Sequence, residues 1–384
     1  MKYISFILSI ILFASCSQKE SIKESNYDQV KLLLDDAAFD KIKAKRDSAL
    51  LIDHLFKGPN DYVKGLLVIG SDSIEVKARL KGDHVDHLKG ERWSFRIVSK
   101  KPNLFNHYKI SIQGTETRNN MVEWIYHELL KNEGLIHLQY KFIPFSVNDT
   151  LKGIYAMESH FDNYLLDMSN RPYGPILKFD ETAFWNHVKT GWKECNEDSI
   201  LFYTPIKALN KKWVNESSDN REMTELAITI LDEYRKGKRD FKTCFDLGKW
   251  KKFIAINELT GTIHGLRWHN IRFYYNPETK LIEPIGFDNG SWFNKNWRMM
   301  LIHESPELFY KYMFNDTSFY NDCIMEVKRM TQPSYLDNFL EPRKEEMKTL
   351  IDIIRLDKED YKFWPQNLYK VQKRIIHQLD SLSL

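Results

Sequence analysis

The chain has 384 residues, of which 42% are hydrophobic and 28% charged, with a net charge of +3. This length and apolar fraction suffice for a large core and favour two or three domains, while the nearly balanced charge argues against a nucleic-acid partner. The four cysteines show no CxxC spacing, which argues against a zinc site or a disulfide framework. At most one disulfide is expected among the three that follow Cys16: Cys195, Cys244 and Cys323.

The N-terminus has the layout of a secretory signal peptide. Lys2 precedes an almost wholly apolar run, residues 4–13, and two small residues then lead to Cys16. The run is too short for a membrane-spanning helix, which needs about 20 apolar residues. Since the small pair followed by Cys looks like a bacterial lipobox, we predict that residues 1–15 are removed. Cys16 is then lipidated and residues 16–26 form a tether, so that the folded body lies on the periplasmic side or at the cell surface. The alternative is an ordinary signal peptide with a chance Cys.

The first half of the chain is predicted to be rich in strands. Helical periodicity over residues 30–55 predicts one or two short helices. The pattern of residues 119–132 also predicts a helix, which ends before Gly134. Apolar runs and alternation between turn residues predict strands in the following segments: 62–80 with a turn at 71–73, 93–98, 108–112, 137–147, 153–157 and 176–179.

The second half is predicted to be helical. Residues 223–234 and 247–259 have helical patterns, and every segment after residue 306 does too. The exception is a hairpin over residues 272–287, with its turn at 276–279. The predicted fold is therefore α+β with two lobes. These are a strand-rich N-terminal lobe, 27–180, and a helical C-terminal lobe, 181–384.

Motifs of three common enzyme classes are absent from the chain. It contains no GxxxxGK[ST], no GxSxG and no HExxH sequence. This excludes the usual P-loop ATPases, α/β-hydrolases and zincins. Three separated polar segments remain as candidates for chemistry.

The first polar segment is RLKGDHVDHLKGERWSFRI, residues 79–97. It is predicted to be two strands around a glycine-containing loop. Backbone amides at a Gly turn, with Arg79, Lys81 and Arg96 nearby, are suited to hold an anion. The alternative is a solvated β-hairpin. The same loop also offers three groups that bind metals elsewhere, at a spacing that is not diagnostic: His84, Asp86 and His87.

The second polar segment places a carboxylate and a lysine at the ends of apolar strands. Glu158 follows GIYAM, and Lys178 lies in GPILKFD. A strand lysine that faces a carboxylate orients the phosphates of a nucleotide in kinases. The alternative is a surface salt bridge, which contributes little to stability.

The third polar segment is HGLRWHNIRFYYNPETKLIEPIGFDN, residues 264–289. Asn270 precedes the predicted hairpin and Asp288 follows it, so the two side chains can converge on one point. Two oxygen ligands with bridging phosphates suit Mg²⁺. Alternatively, His269 and Asn270 cap a loop and Asp288 belongs to an ordinary turn.

The chain resembles the CotH family, which is named after a spore-coat protein and classed with atypical protein kinases. The resemblance runs from about residue 76 to the C-terminal helices. Its motifs are ARLKGD with the downstream WSFRI, then GIYAMES, ILKFD and WHNIRFYYNPETKLIEPIGFD, in that order. It implies a two-lobed kinase-like fold that binds ATP and Mg²⁺ and phosphorylates protein side chains, often on exported proteins.

The resemblance also implies roles for individual residues. Lys178 would contact the phosphates of ATP, and Glu158 would orient Lys178. Asn270 and Asp288 would be the metal ligands. Two basic residues would lie near the equivalent of the glycine-rich loop: Arg79 and Lys81.

The sequence departs from the family pattern in two places. The family has an Asp a few residues before the His-Asn pair as catalytic base, and residues 262–268 contain no carboxylate. The paired acids after the hairpin are reduced to Asp288. His264 or His269 would then serve as the base, because imidazole titrates near neutral pH, and Glu258 is a further candidate.

Three functions follow as hypotheses. The first is an exported enzyme that uses ATP and Mg²⁺ to phosphorylate an envelope or secreted protein, acting as a monomer. The second is an inactive pseudokinase that serves as a scaffold or binding module in the envelope. The third is a glycan-related function, suggested by the aromatic content of 14%. Fold alone does not choose among them.

Overall fold

The computed structural model describes residues 22, 27–83, 85–102, 105–189, 196–290, 298–303 and 307–381. The predicted signal peptide, the predicted lipidation site Cys16, the candidate ligand His84 and Cys195 all lie outside these ranges. With 48% helix and 20% strand, the chain has the predicted mixed composition. No helix within these ranges is both long enough and apolar enough to cross a membrane.

Eleven strands are formed within the described ranges: β1 Val30–Leu33, β2 Val63–Ile69, β3 Asp72–Leu80, β4 Phe95–Ser99, β5 Lys109–Gly114, β6 Tyr140–Val147, β7 Thr150–Ser159, β8 Ile176–Phe179, β9 Ile206–Ala208, β10 Arg272–Tyr275 and β11 Ile282–Ile285. The same ranges contain these α-helices: α1 Asp36–Leu51, α2 Met121–Asn132, α3 Asn163–Met168, α4 Thr182–Lys189, α5 Glu197–Tyr203, α6 Lys211–Val214, α7 Ser218–Arg235, α8 Leu247–Leu259, α9 Met300–His303, α10 Leu308–Phe314, α11 Thr317–Met330, α12 Pro333–Leu340, α13 Lys344–Arg355 and α14 Gln366–Asp380.

The chain divides into two compact units that are not consecutive stretches of sequence. Unit 1 comprises Met1–Met121, Gln139–His160 and Lys344–Phe363. Unit 2 comprises Val122–Leu138, Phe161–Arg343 and Trp364–Leu384. The strand-rich and helix-rich parts expected from the sequence are therefore present, but unit 2 takes in β8, and a C-terminal segment returns to unit 1.

Unit 1 is built on a closed barrel of seven strands in the order β1-β2-β3-β4-β5-β7-β6. All neighbours are antiparallel except β1 and β6, whose parallel pairing closes the barrel with Val30 opposite Phe145. The prediction of helix from residue 30 was wrong for Val30–Leu33. In this VKLL segment Val30 and Leu32 are buried, whereas Lys31 and Leu33 are exposed, which is the alternation of a strand.

The barrel interior is filled by apolar side chains. Phe145 is fully buried and its ring lies 4.9 Å from that of Tyr155 and 5.8 Å from that of Phe95. Helix α1 contributes Ala38 and Ile42 to the same core. This packing gives the barrel strands a fixed inner and outer face.

Unit 1 also includes the segment that follows α13. The Asp357 carboxylate accepts the backbone N–H of Ile154 at 3.0 Å and forms an ion pair with Arg92. Lys358 Nζ donates to the Thr115 hydroxyl at 2.9 Å. These contacts attach residues near the C-terminus to strand β7 and to the turn after β5.

Unit 2 contains a four-stranded sheet in the order β11-β10-β8-β9. The predicted hairpin is confirmed as β10 and β11, with Arg272 opposite Ile285. On its other edge β10 pairs with β8, where Phe273 is opposite Leu177. Cys244 and Cys323 are free thiols, so they do not form a disulfide with each other. Both are buried, and burial raises the pKa of each thiol.

Replacing Leu67 with Ala is expected to lower the free energy of unfolding by about 2–5 kcal/mol, because Leu67 is fully buried in the barrel core. Leu66, its neighbour on β2, is 39% exposed and faces outward. Leu66→Ala is the matched control and should cost less than about 1 kcal/mol. Urea unfolding of both variants measures the difference. Equal losses would contradict the assigned inner and outer faces of β2.

Candidate functional site

The hairpin of unit 2 brings the two ends of the third polar segment together. Asn276 stabilises the turn, since its side-chain oxygen accepts the backbone N–H of Glu278 at 3.0 Å. Lys280 adopts a positive φ of 58°, which reverses the chain into β11. The loop that precedes β10 and the Phe287-Asp288-Asn289 turn that follows β11 therefore lie at the same end of the hairpin.

The turn after β11 is held by a buried carboxylate on helix α2. The backbone N–H groups of Asp288 and Asn289 donate to the two oxygens of Glu123 at 3.1 and 3.2 Å. Glu123 is completely buried, and Asp288 adopts the left-handed conformation with φ of 55°. Sequence reasoning missed Glu123, and the available signal was a charged residue among the apolar positions of an amphipathic helix.

A buried amide network supports the same turn from the side of helix α8. The Asn289 side-chain nitrogen donates to the Asn257 side-chain oxygen and to the Thr260 hydroxyl, each at 3.1 Å. A Cβ atom at Gly286 would lie 2.5 Å from Leu130 and 2.6 Å from the Tyr126 hydroxyl. A side chain at position 286 would therefore require Leu130 and Tyr126 to move.

Asp288, His264 and Asn270 come together in front of this turn. His264 Nε2 lies 3.6 Å from Asp288 Oδ1. The Asn270 side-chain nitrogen donates to the backbone carbonyl of His264 at 2.9 Å, which leaves the amide oxygen as the group available to a metal. Asn270 and Asp288 both contact His264, as expected if the two side chains converge on one region.

Lys178 has a carboxylate partner three residues further along the chain. Its Nζ lies 2.8 Å from Glu181 Oε1, and Arg272 Nη2 approaches the same oxygen at 2.9 Å. The Trp185 indole N–H donates to the other oxygen at 3.2 Å. Sequence reasoning did not consider Glu181, although the end of a short strand brings residues i and i+3 within reach of each other.

Glu181 remains ionised throughout the ordinary pH range. Burial raises the pKa of its carboxyl, but the charges of Arg272 and Lys178 outweigh burial and hold the pKa at about 2. Arg272 is fixed in turn, because it donates to the His269 carbonyl at 2.7 Å and lies over the Phe287 ring at 5.0 Å. The carboxylate therefore holds Lys178 on a rigid support.

His269 connects the lysine with the Asp288 turn. Burial lowers its pKa to about 4, while the charges of Glu181 and Asp288 oppose that lowering. The His269 ring lies 6.4 Å from that of His264, which contacts Asp288. The His269 carbonyl accepts a hydrogen bond from Arg272, which shares Glu181 with Lys178, so these residues form one cluster of unit 2. The His269 ring stacks on Phe184 at 4.4 Å, and its buried Nδ1 has no hydrogen-bond partner in the described part of the chain.

The three candidate bases differ in their surroundings. His264 has 47% of its side chain exposed, beside Asp288. His269 is buried and is neutral at pH 7 because of its low pKa. Glu258 is buried, and its two oxygens accept the backbone N–H groups of residues 300 and 301 at the start of α9. Glu258 is therefore engaged in capping a helix, and His264 is the most accessible base.

The remaining predicted residues lie in unit 1. Glu158 accepts the Ser111 hydroxyl at 3.3 Å and the Gln113 amide at 3.2 Å, and Lys81 Nζ lies 3.6 Å from it. Arg79 donates to the carbonyl of Leu80 at 2.7 Å. Gly82, with φ of 112°, turns the chain after Lys81, and a Cβ there would lie 2.6 Å from the ring of His87.

No group of three or more His, Cys, Asp or Glu side chains able to hold a metal occurs among the described residues. Of the residues at the alternative metal site in the first loop, His87 has its Nδ1 3.0 Å from the Ser94 hydroxyl, and His84 lies outside the described ranges. Asp288 and the Asn270 amide oxygen are hard oxygen donors, which fits Mg²⁺ held jointly with phosphate oxygens.

Comparison with models of known protein families gave no match. No curated protein matches the chain either.

Replacing Glu181 with Gln is expected to lower the free energy of unfolding at pH 7 by on the order of 3 kcal/mol. Folding moves the pKa of this carboxyl from 4.5 to about 2, and each pKa unit corresponds to about 1.4 kcal/mol. Because the folded pKa is the lower one, the difference is complete above pH 4.5 and shrinks as the pH falls towards 2. Urea unfolding of both proteins at pH 7 and pH 3 measures it.

The control is Glu278→Gln, which changes an exposed glutamate in the turn of the hairpin. It should alter the free energy of unfolding by less than about 0.5 kcal/mol. A loss in Glu181→Gln that is the same at both pH values would show that the charge of Glu181 does not stabilise the fold.

Proposed function

We propose that the protein is an exported, lipid-anchored phosphotransferase of the CotH type, which uses ATP and Mg²⁺ to phosphorylate a protein of the cell envelope or a secreted protein. The observation that carries the proposal is the cluster in unit 2. A lysine held by a carboxylate, an amide and a carboxylate at the two ends of one hairpin, and an accessible histidine lie together there.

Lys178 has the chemistry required to bind a phosphate group. Its ammonium is anchored by Glu181, which stays ionised because its pKa is about 2. A rigid cation in a partly buried position stabilises the charge of a transferring phosphoryl group better than a solvated one, since little reorganisation is needed. This is the role that the resemblance implies for Lys178.

Asp288 and Asn270 would hold Mg²⁺. When bound, the ion would neutralise charge on the phosphate oxygens. The protein's contribution is to fix the two donors. The Glu123 carboxylate fixes the backbone of Asp288, and the His264 carbonyl fixes the amide of Asn270.

His264 would accept the proton of the substrate hydroxyl. It is exposed to solvent and its Nε2 lies 3.6 Å from Asp288. A weak base suffices in this chemistry, because phosphoryl transfer depends mainly on positioning and on charge stabilisation. Buried His269 would contribute to the shape of the site, with its ring stacked on Phe184.

The finer description of the fold, two kinase-like lobes, is part of the same proposal. Unit 1 would be the counterpart of the N-terminal lobe, with Arg79 and Lys81 near the glycine-rich loop and Glu158 as the carboxylate to which the resemblance assigns the orientation of Lys178. In support, Arg79 lies on barrel strand β3, Lys81 directly follows β3, and Glu158 lies on barrel strand β7. In this proposal the N-terminal lobe would be built on the closed seven-stranded barrel.

An inactive pseudokinase is the second candidate, and a specific observation favours it. Residues 262–268 contain no carboxylate, and Glu258 is engaged by two backbone amides. ATP is also scarce outside the inner membrane. A glycan-related function has less support, because most tryptophans in the described ranges are buried, among them Trp250 and Trp268, whereas Trp364 is exposed.

The proposal predicts that Mg-ATP raises the midpoint of thermal unfolding. A ligand at about 100 times its dissociation constant stabilises by about 2.7 kcal/mol, which corresponds to a shift of a few degrees. Asp288→Asn should abolish the Mg²⁺-dependent part of the shift, and Lys178→Met should weaken the affinity for ATP. Asp219→Asn removes an exposed carboxylate of α7 and should leave the shift unchanged.

Transfer of labelled γ-phosphate separates the two candidates. The enzyme should label itself or an envelope protein, and His264→Gln should reduce the rate by about 10²-fold or more. A Mg-ATP shift without any transfer supports the pseudokinase. If millimolar Mg-ATP does not shift the midpoint of thermal unfolding, neither the enzyme proposal nor a nucleotide-binding pseudokinase is supported.

A further inference from the structure

The first three strands of the barrel carry exposed lysines on their outer side, which the proposed phosphotransfer does not use. Successive residues of a strand point to opposite faces, and one set of side chains on these strands belongs to the barrel core. Up to residue 77, the other set points outward and is here called the β1–β3 face: Lys31, Leu33, Lys64, Leu66, Val68, Ser73, Glu75 and Lys77. With three lysines and one glutamate, this face has a net charge of +2.

Two of these lysines face each other across neighbouring strands. Lys64 on β2 is directly opposite Lys77 on β3, and both are exposed. Like charges in this arrangement destabilise a sheet. Within the described part of the chain, neither of them forms an ion pair, and Lys31 does not form one either. The face therefore keeps a net positive charge that is accessible to an anionic partner.

An exposed pair of leucines lies between the lysines. Leu33 on β1 is directly opposite Leu66 on β2, and the two are 36% and 39% exposed. Lys31 precedes Leu33 by two residues and Lys64 precedes Leu66 by two residues, so basic and apolar side chains share one face. This combination suits the surface of an anionic membrane, where lysines are attracted to the headgroups and apolar side chains enter the boundary with the acyl chains.

The predicted lipid anchor would keep this face close to a membrane. Lys31 follows Cys16 by 15 residues, and a chain of that length spans at most about 50 Å even when fully extended. If Cys16 is lipidated, docking of the face becomes an intramolecular step with a high effective concentration. A weak attraction between the face and the membrane is then sufficient.

We propose that the β1–β3 face docks on the anionic phospholipid headgroups of the membrane that holds the lipid anchor. The inference rests on the anchor of the proposed function and is independent of phosphotransfer. Each lysine near such a surface strengthens binding by about fivefold. A second copy of the chain is not the partner of this face, because two such faces carry the same charge and repel each other.

The first test measures binding without the anchor. The mature chain from residue 16 onward, with Cys16→Ser, is sedimented with vesicles of phosphatidylglycerol and phosphatidylcholine at an ionic strength of about 0.1 M, where charges act over about 10 Å. The test variant carries three substitutions on the face: Lys31→Gln, Lys64→Gln and Lys77→Gln. Its partition coefficient should fall about fivefold for each lysine replaced. The control makes the same change at three exposed lysines of unit 2 and should bind like the parent chain: Lys211→Gln, Lys328→Gln and Lys373→Gln.

The second test uses the lipidated chain on vesicles and an amine-acetylating reagent, with mass spectrometry of the lysines. Acetylation of the three lysines of the face should be several-fold slower on anionic vesicles than on pure phosphatidylcholine, whereas Lys211 should react equally on both. Equal losses of binding in the two triple variants would overturn the proposal, and so would absence of binding to anionic vesicles. Binding of a polyglutamate peptide to the face, without binding of vesicles, would assign it to an acidic protein instead. The first test needs neither lipidation nor ATP, so failure of the proposed anchor or of phosphotransfer leaves its result readable.

Discussion

The buried carboxylate of Glu123 is the constraint on which the candidate site depends. It is fully buried, so its charge requires partners inside the protein, and it finds two of them in the consecutive N–H groups of Asp288 and Asn289. His127 Nε2, one turn further along α2, lies 3.4 Å from the same carboxylate. These contacts hold Asp288 in a left-handed conformation that a non-glycine residue rarely adopts. The direction of the Asp288 side chain is therefore set by a helix that is distant in sequence.

Two other buried carboxylates position cations in a similar way. Glu181 is shared by Lys178 and Arg272, and the Arg272 guanidinium is also satisfied by backbone carbonyls and by aromatic rings. Glu158 accepts hydrogen bonds from Ser111 and Gln113 and lies near Lys81 and Arg118. Removing one member of a buried ion pair leaves an uncompensated charge, so each cluster fixes the orientation of the cations beside its carboxylate.

Burial also separates the two histidines that the sequence offers equally. His269 is enclosed by aromatic rings, which lowers its pKa and keeps it neutral. His264 remains accessible beside Asp288. A Cβ atom at Gly286 would approach the side chains of Tyr126 and Leu130, so a side chain at this position would require its neighbours to move.

Local pattern in the sequence was sufficient for the hairpin over residues 272–287, for helix α2 and for strand β8, because their periodicity and turn residues act over short distances. It also indicated that Asn270 and Asp288 lie at the same end of that hairpin. It was not sufficient for β1, since a segment of four residues with three apolar ones fits a helix as well as a strand until β2 and β6 pair with it. The roles of Glu123 and Glu181 were likewise decided by the tertiary structure. A carboxylate looks the same in any sequence, and only folding determines whether water, a backbone amide or a cation becomes its partner.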